Sequence, residues 1–270
     1  MKVGVFDSGL GGLSVLGAIK ESIPGIELAY CCDNFNFPYG TKSEADVITA
    51  ALDATQRFFE QAAIDVLVIA CNTASVVALE AIRQILPIPV VGVVPAIKPA
   101  ALASKSKIIG VLATPVTIRR PYLDALIKEF ASDCEVLKCG SSSLVLLAEG
   151  KMRGQQNAGL THQSLHTEMA VIVDAAKRGL DQLVLGCTHF PLIVDELRQV
   201  VPSSVNFVDS GQAVASRVRT ILSGLGYSVS MITEGSPRDL QGYCSGESFA
   251  IKLPRVFVAS LENLVLRKLA

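Results

Sequence analysis

An excess of charge of either sign is what this sequence most conspicuously lacks. Its 24 Lys and Arg residues stand against 25 Asp and Glu, for a net charge of −1 and a pI of about 6.3. That balance gives no broad positive field, so a nucleic-acid partner is not expected. Long apolar runs are also lacking, although apolar residues make up 50% of the chain and mean hydropathy is positive. The longest candidate, Ile85 to Ala103, is broken by Pro87, Pro89, Pro95 and Pro99, which argues against a membrane-spanning helix. Near the start, Asp7 and the glycines of MKVGVFDSGLGG interrupt any apolar h-region, so no signal peptide is expected. No C-x-x-C pair, heme motif, low-complexity tract or long charge run occurs. The seven cysteines are an odd number in a chain too long for a disulfide scaffold. They read as reduced thiols of a cytoplasmic protein.

What is present is ample core material, with only 18% of residues charged, and a length that suits two domains of ordinary size. Short aliphatic runs alternate with amphipathic segments nearly throughout. Strands are expected at Lys2–Phe6, Glu27–Cys31, Asp65–Ala70, Val90–Val93, Ile108–Leu112, Glu135–Lys138, Asp181–Gly186 and Val205–Val208. Helical spacing is clearest in Glu44–Ala62, Ser75–Leu86, Pro121–Phe130, Thr167–Arg178 and Leu192–Val200. Alternation of this kind predicts an α/β fold with mainly parallel sheets. The proline-rich region around Pro95–Pro99 is the expected domain boundary.

The chain repeats itself. DVLVIACNTAS, from Asp65 to Ser75, aligns without gaps with DQLVLGCTHFP, from Asp181 to Pro191. VGVFDSG at Val3–Gly9 similarly echoes IGVLATP at Ile109–Pro115. Each half therefore has an aliphatic-Gly-Val strand followed downstream by a strand tipped with cysteine. Two similar α/β domains are the expectation, since two copies at so long a period do not make a solenoid.

In parallel α/β sheets ligands bind beyond the carboxyl ends of the strands, where Cys71 and Cys187 fall. A helix N-terminus close behind each would offer free N–H groups, a lowered thiol pKa and a seat for a carboxylate. Asn72, Thr73, Thr188 and His189 add side-chain donors at the same turns. A matched pair of weak acid–bases suits inversion of a carbon acid, one group removing a proton from one face and the other delivering one opposite. The sulfurs would then lie about 6–8 Å apart across the carbon. An isolated cysteine is more often an inert small hydrophobe, and that reading is kept for Cys31, Cys32, Cys134, Cys139 and Cys244. Asp7 ends an apolar strand at the same edge and could help move a proton. FDSGLGG matches neither G-x-G-x-x-G nor a P-loop. His162 and His166 share a helical face but have no third ligand in view, so no metal site is expected. Thr114 and Thr117 could simply cap a helix, and Glu149 end one.

Taken together, FDSGLGGLSV (Phe6–Val15), PYG (Pro38–Gly40), CNTAS (Cys71–Ser75), GVLAT (Gly110–Thr114) and GCTHFPL (Gly186–Leu192) resemble the cofactor-independent aspartate/glutamate racemase superfamily, and within it the bacterial glutamate racemases. The resemblance implies two proton-transferring cysteines, Cys71 and Cys187, assisted by Asp7 and His189 respectively. It implies a substrate-binding set of Asp7, Ser8, Tyr39, Gly40, Asn72, Thr73, Thr188 and His189, with Thr114, Thr117 and Glu149 in the pocket wall or behind it. It implies two similar domains related by pseudo-twofold symmetry with the active site in the cleft between them, residues 1–97 and 209–270 forming one and 98–208 the other. The C-terminal part, from Met231, carries none of these motifs and reads as a strand followed by a helix.

The expected activity is reversible conversion of L-glutamate to D-glutamate for peptidoglycan, with no cofactor and no metal. Its expected partner is the small-molecule substrate alone; a homodimer is compatible with the chain, which does not itself fix an oligomeric state. Racemisation of aspartate or of acidic amino acids broadly is the alternative enzyme reading. A non-catalytic small-molecule binding protein is the alternative of another class. Asp7 and His189 beside the two thiols speak against it, since binding alone needs no matched acid–base groups.

Overall fold

A computed structural model describes residues 1–155, 161–227, 240–252 and 263–270. The chain forms two compact units. One comprises Met1–Val93, Met152–Gly154 and Gly211–Ala270; the other comprises Val94–Lys151 and Gln155–Ser210. Val94–Ile97, placed in the first domain by resemblance, group with the second unit.

The first unit is built on β1 (Lys2–Asp7), β2 (Glu27–Cys32), β3 (Val66–Ile69) and β4 (Val90–Gly92). The second is built on β5 (Ile108–Ala113), β6 (Glu135–Gly140), β7 (Gln182–Leu185) and β8 (Asn206–Val208). Three further strands, β9 (Gln241–Cys244), β10 (Phe249–Lys252) and β11 (Asn263–Lys268), extend the first sheet. The strand orders are β10-β11-β9-β2-β1-β3-β4 and β6-β5-β7-β8. Every neighbouring pair is parallel except β10 with β11. Within this frame β2-β1-β3-β4 and β6-β5-β7-β8 share one order. Register agrees as well, because β1 pairs Val3 with Val66 while β5 pairs Ile109 with Gln182. Those are the residues that the gapless alignment of the two halves superimposes.

Packing explains the echoed glycine. A Cβ on Gly4 would lie 2.6 Å from Ile64 Cδ1 and 2.9 Å from Phe58 Cε1. One on Gly110 would lie 2.7 Å from Leu183 Cδ1, 2.9 Å from Ile172 Cδ1 and 3.1 Å from Leu180 Cδ1. In each sheet the central strand gives up a side chain so that the residue preceding the echoed aspartate, Ile64 or Leu180, can close over it. The helix Glu44–Ala62 supplies Phe58 and presents Val47, Ala51, Ala54, Thr55, Phe58 and Ala62 as its buried stripe. It starts with Ser43 as N-cap, whose Oγ accepts from Asp46 N at 3.2 Å, and ends at Ala63 in the left-handed region.

Several expected helices are divided. Ser75–Leu86 lies across Asn72–Val77 and Leu79–Ile85, joined at Ala78. Thr167–Arg178 lies across His162–Glu168 and Ala170–Lys177, joined at Met169. Ala78 and Met169 are fully buried, so the chain bends where it must keep an apolar side chain in the core. Leu192–Val200 becomes a 3₁₀ turn, Phe190–Ile193, followed by the short helix Val194–Leu197. The strand-then-helix pattern expected at the C-terminus is replaced, in its described part, by β9, β10 and β11; residues 231–239 and 253–262 lie outside the described residues. No helix among the described residues is long and apolar enough to cross a membrane.

Candidate active site

The strand order places a topological switch beside β1 in one sheet and beside β5 in the other. In a doubly wound sheet the residues just past the carboxyl ends of the strands at such a switch face the ligand. At the end of β1 and past β1 and β3 these are Asp7, Ser8, Cys71, Asn72 and Thr73. Past β5 and β7 they are Thr114, Cys187, Thr188 and His189. All are buried, with Cys71 and Cys187 retaining 6% and 7% exposure.

In the first unit Ser8 stands between a carboxylate and a thiol. Its Oγ lies 3.5 Å from Asp7 Oδ1, to which it donates, and 3.6 Å from Cys71 Sγ. Asp7 Oδ1 also accepts from Gly9 N at 2.9 Å, which turns the chain sharply after β1. The buried Tyr30 hydroxyl clamps that turn by donating to Gly9 O at 2.6 Å. A helix follows Cys71 closely, as expected, but starts three residues earlier than the spacing indicated: Cys71 is the N-cap of Asn72–Val77, with an extended backbone. Ser75 ties this helix to the sheet by donating to Ile69 O at 2.9 Å and accepting from Val93 N at 3.0 Å. Among the described residues, the buried side-chain oxygen of Asn72 has no hydrogen-bond partner.

Cys187 differs. The helix expected close behind it is absent: the chain passes through the 3₁₀ turn Phe190–Ile193 before α-helix begins at Val194. The group beside its sulfur is a side chain instead. Cys187 Sγ lies 3.9 Å from His189 Nδ1, and His189 Nε2 lies 3.0 Å from Glu149 Oε2, all of it buried. The resemblance implies Glu149 in the wall or behind it, and the residues alone read it as the end of a helix; it lies inside the helix Ser143–Met152 and is the direct partner of His189. Thr114 occupies the register position of Ser8 but serves as a helix cap, accepting from Thr117 N at 3.3 Å, with the two hydroxyls 2.9 Å apart.

Tyr39 and Gly40 lie in the turn Tyr39–Thr41. The Tyr39 phenol is buried and donates to Asp33 Oδ2 at 2.6 Å, so the hydroxyl is already committed. Burial, then the Asp33 carboxylate, pushes that phenol well above its ordinary pKa. Asp33 is a functional candidate that sequence reasoning missed. Fully buried past the end of β2, it also accepts from Asn36 Nδ2 and from Ser245 Oγ. The signal was available, since Asp33 follows an apolar strand as Asp7 does. All seven cysteines are free thiols. His162 and His166 lie on His162–Glu168, with His162 at the surface, and no group of three potential metal ligands occurs among the described residues.

The comparisons with known proteins bear on this geometry. A family model described as Asp/Glu/Hydantoin racemase matches residues 10–218, which include both cysteine turns. A glutamate racemase from Shewanella sp. (strain ANA-3) is 50% identical over 219 residues, covering 81% of this chain and 78% of that one. A glutamate racemase from Glaesserella parasuis serovar 5 (strain SH0165) is 42% identical over 244 residues, covering 90% and 88%. Among solved structures, Escherichia coli glutamate racemase in complex with L-glutamate and the activator UDP-MurNAc-Ala matches with a TM-score of 0.83 and 37% identity, covering 100% of this chain and 98% of that one.

Proposed function

The chain belongs to the Asp/Glu/hydantoin racemase family and is an isomerase that racemises glutamate, and we propose that it does so by two-base proton transfer with Cys71 and Cys187 as the acid–base pair. The observation that carries the proposal is the duplicated strand: two sheets of one order and register each end the same strand in a cysteine. Each cysteine then has a different ionisable partner, Asp7 through Ser8 on one side and His189 on the other. An inert core thiol needs neither.

In the L-to-D direction the Cys187 thiolate takes the α-proton of L-glutamate, and the Cys71 thiol gives its proton to the opposite face of the carbon. One C–H bond breaks and one forms, and the charge passes from one sulfur to the other. The reverse reaction starts from the complementary protonation state, so both thiols must act as acid and as base. Glu149 holds the His189 ring with its Nδ1 toward sulfur. The unpaired Asn72 oxygen fits the α-ammonium group, a three-hydrogen donor. Thr73 and Thr188 hydroxyls and the backbone N–H groups at the Cys71 helix start are suited to a carboxylate that gains negative charge in the transition state. The D-glutamate formed serves peptidoglycan synthesis, and seven free thiols fit a reducing, cytoplasmic setting.

Two measurements test this. L-Glutamate incubated with the protein should lose its optical rotation, with L-aspartate run alongside. One methylene in a pocket is worth only about 1–3 kcal/mol, so some aspartate turnover is compatible, but a higher kcat/KM for aspartate would reassign the substrate. Cys71→Ser and Cys187→Ser should each abolish racemisation, because an alcohol is far less acidic than a thiol of pKa about 8.5. Each variant keeps one thiol, so a glutamate analogue with a β-leaving group should still be eliminated from one enantiomer: L by Cys71→Ser, D by Cys187→Ser. The same enantiomer preferred by both variants would refute the two-base reading.

A further inference from the structure

Ser141 follows β6 as Asp33 follows β2. Ser141 N donates to Ala113 O at 2.9 Å, and Asp33 N donates to Asp7 O at 2.9 Å, so the two residues hold one register position in the two sheets. In the first unit that position carries its own buried carboxylate, which fixes Tyr39. In the second it is a serine, and the carboxylate arrives from another element. Glu168, the last residue of His162–Glu168, accepts through Oε1 from Ser141 Oγ at 2.5 Å and from Ser143 Oγ at 3.2 Å. Its own carbonyl accepts from Cys139 Sγ at 3.4 Å, which fastens Glu168 to the end of β6.

Ser141 passes the constraint on. Its Oγ accepts from Leu144 N at 3.1 Å and so caps the helix Ser143–Met152. That helix carries Glu149, whose carboxylate sets the His189 ring beside Cys187. The helix is secured at its other end by Lys151, which donates to Leu192 O at 3.3 Å and pairs with Glu196. A shift at the capped end therefore reaches Glu149 rather than being absorbed by a free helix.

We propose that Glu168 is a positioning residue for proton transfer at Cys187, acting through Ser141, Ser143 and the helix that carries Glu149. The proposal rests on the two-base reading. Its distinguishing consequence is one-sidedness: loss of Glu168 slows the Cys187 step and leaves the Cys71 step alone. Loss of folded protein would slow both equally.

The experiment measures kcat and the primary isotope effect with α-deuterated L-glutamate and α-deuterated D-glutamate, for wild type, Glu168→Ala, Glu168→Gln and Glu149→Gln. Glu168→Ala should lower kcat in both directions by about tenfold to a hundredfold, the range for a small misplacement of a catalytic group. Its isotope effect should rise with L-glutamate, deprotonated by Cys187, and fall with D-glutamate, deprotonated by Cys71. Glu149→Gln should move both in the same senses. Glu168→Gln keeps an acceptor oxygen at the same reach and should return both isotope effects to wild-type values. If Glu149→Gln displaces the isotope effects and Glu168→Ala does not, the proposal for Glu168 is overturned while the two-base reading stands. Displacement in Glu168→Gln as large as in Glu168→Ala overturns the acceptor role assigned to it. If Cys187→Ser still exchanges the α-proton of L-glutamate at the wild-type rate, the two-base reading itself fails.

Discussion

Asp7 and His189 occupy positions that do not correspond, although the strands that carry them do. Superposing Val3 on Ile109 puts Ala113 opposite Asp7, and superposing Asp65 on Asp181 puts Thr73 opposite His189. The duplicated scaffold therefore supplies the thiols symmetrically and their ionisable partners asymmetrically. The thiols were legible in the sequence because repetition singles them out. Asp7 was legible as a polar residue ending an apolar strand. The commitment of the Tyr39 phenol to Asp33 was not, because nothing in PYG says which way the ring turns. A residue-scale prediction concerns Gly12, which has an ordinary helical backbone but no room. A Cβ there would lie 2.8 Å from Asp7 Cβ, 3.1 Å from the Tyr30 hydroxyl and 3.2 Å from Ala70 Cβ. Gly12→Ala must displace Asp7 or the Tyr30 clamp. Overpacking of this kind costs about 1–3 kcal/mol, and a shift of the carboxylate costs far more in rate than in stability. Purified Gly12→Ala should show a modestly lower Tm by calorimetry and at least tenfold lower kcat; wild-type kcat would show that Asp7 needs no such fixed seat.

At the scale of elements, the aspartate that opens each echoed strand does the same mechanical work twice. Asp65 Oδ2 accepts from Lys2 N at 2.7 Å, fixing the start of β1. Asp181 accepts from Ser104 Oγ at 2.7 Å, Lys105 N at 2.7 Å and Ser106 N at 3.0 Å, fixing the approach to β5. Burial of Asp181 opposes its ionisation, but the hydrogen bonds from Ser104, Ser106 and Lys105 outweigh it and hold the carboxyl below the usual carboxylate range. A carboxyl lowered in the folded state contributes stability that is present above its unfolded pKa of about 3.9 and lost as pH falls through the folded value. Asp181→Asn should therefore be less stable at pH 7, by about 1 kcal/mol given partial solvent exposure, and the gap to wild type should narrow in acid, as pH falls below the unfolded pKa and through the folded value. A gap that persists unchanged into acid would assign the loss to packing. The eight core strands were all legible from aliphatic runs bounded by turns. The divided helices were not, since the period continues across Ala78 and Met169 while the axis bends. Nor were β9, β10 and β11, whose short mixed runs become strands only by adding to an edge that the rest of the chain has already built.

For the molecule as a whole, seven free thiols, two of them proposed to do the chemistry, lead to a prediction about selectivity. Burial pushes the Cys31 thiol well above its ordinary pKa, with the Asp33 carboxylate adding to it. Burial, then Glu168, raises Cys139 to about 11. Burial raises Cys244 and, with the Asp133 hydrogen bond, Cys134 as well. The thiolate is the nucleophile, so these four should alkylate slowly at neutral pH. A limiting amount of iodoacetamide at pH 7 should abolish racemisation with label on Cys71 or Cys187, found by peptide mass spectrometry, and glutamate should protect. Chelation followed by hydroxylamine should leave turnover intact, because the proposed route moves one proton from the α-carbon to one sulfur and another from the second sulfur to the carbon, and asks nothing of a metal or a carbonyl cofactor. The two treatments separate the possibilities: activity restored by zinc or pyridoxal phosphate after chelation and hydroxylamine would replace the mechanism outright. Inactivation with label confined to Cys139 or Cys244 would instead leave the chemistry standing and move the sensitive thiol into the sheets that hold the site.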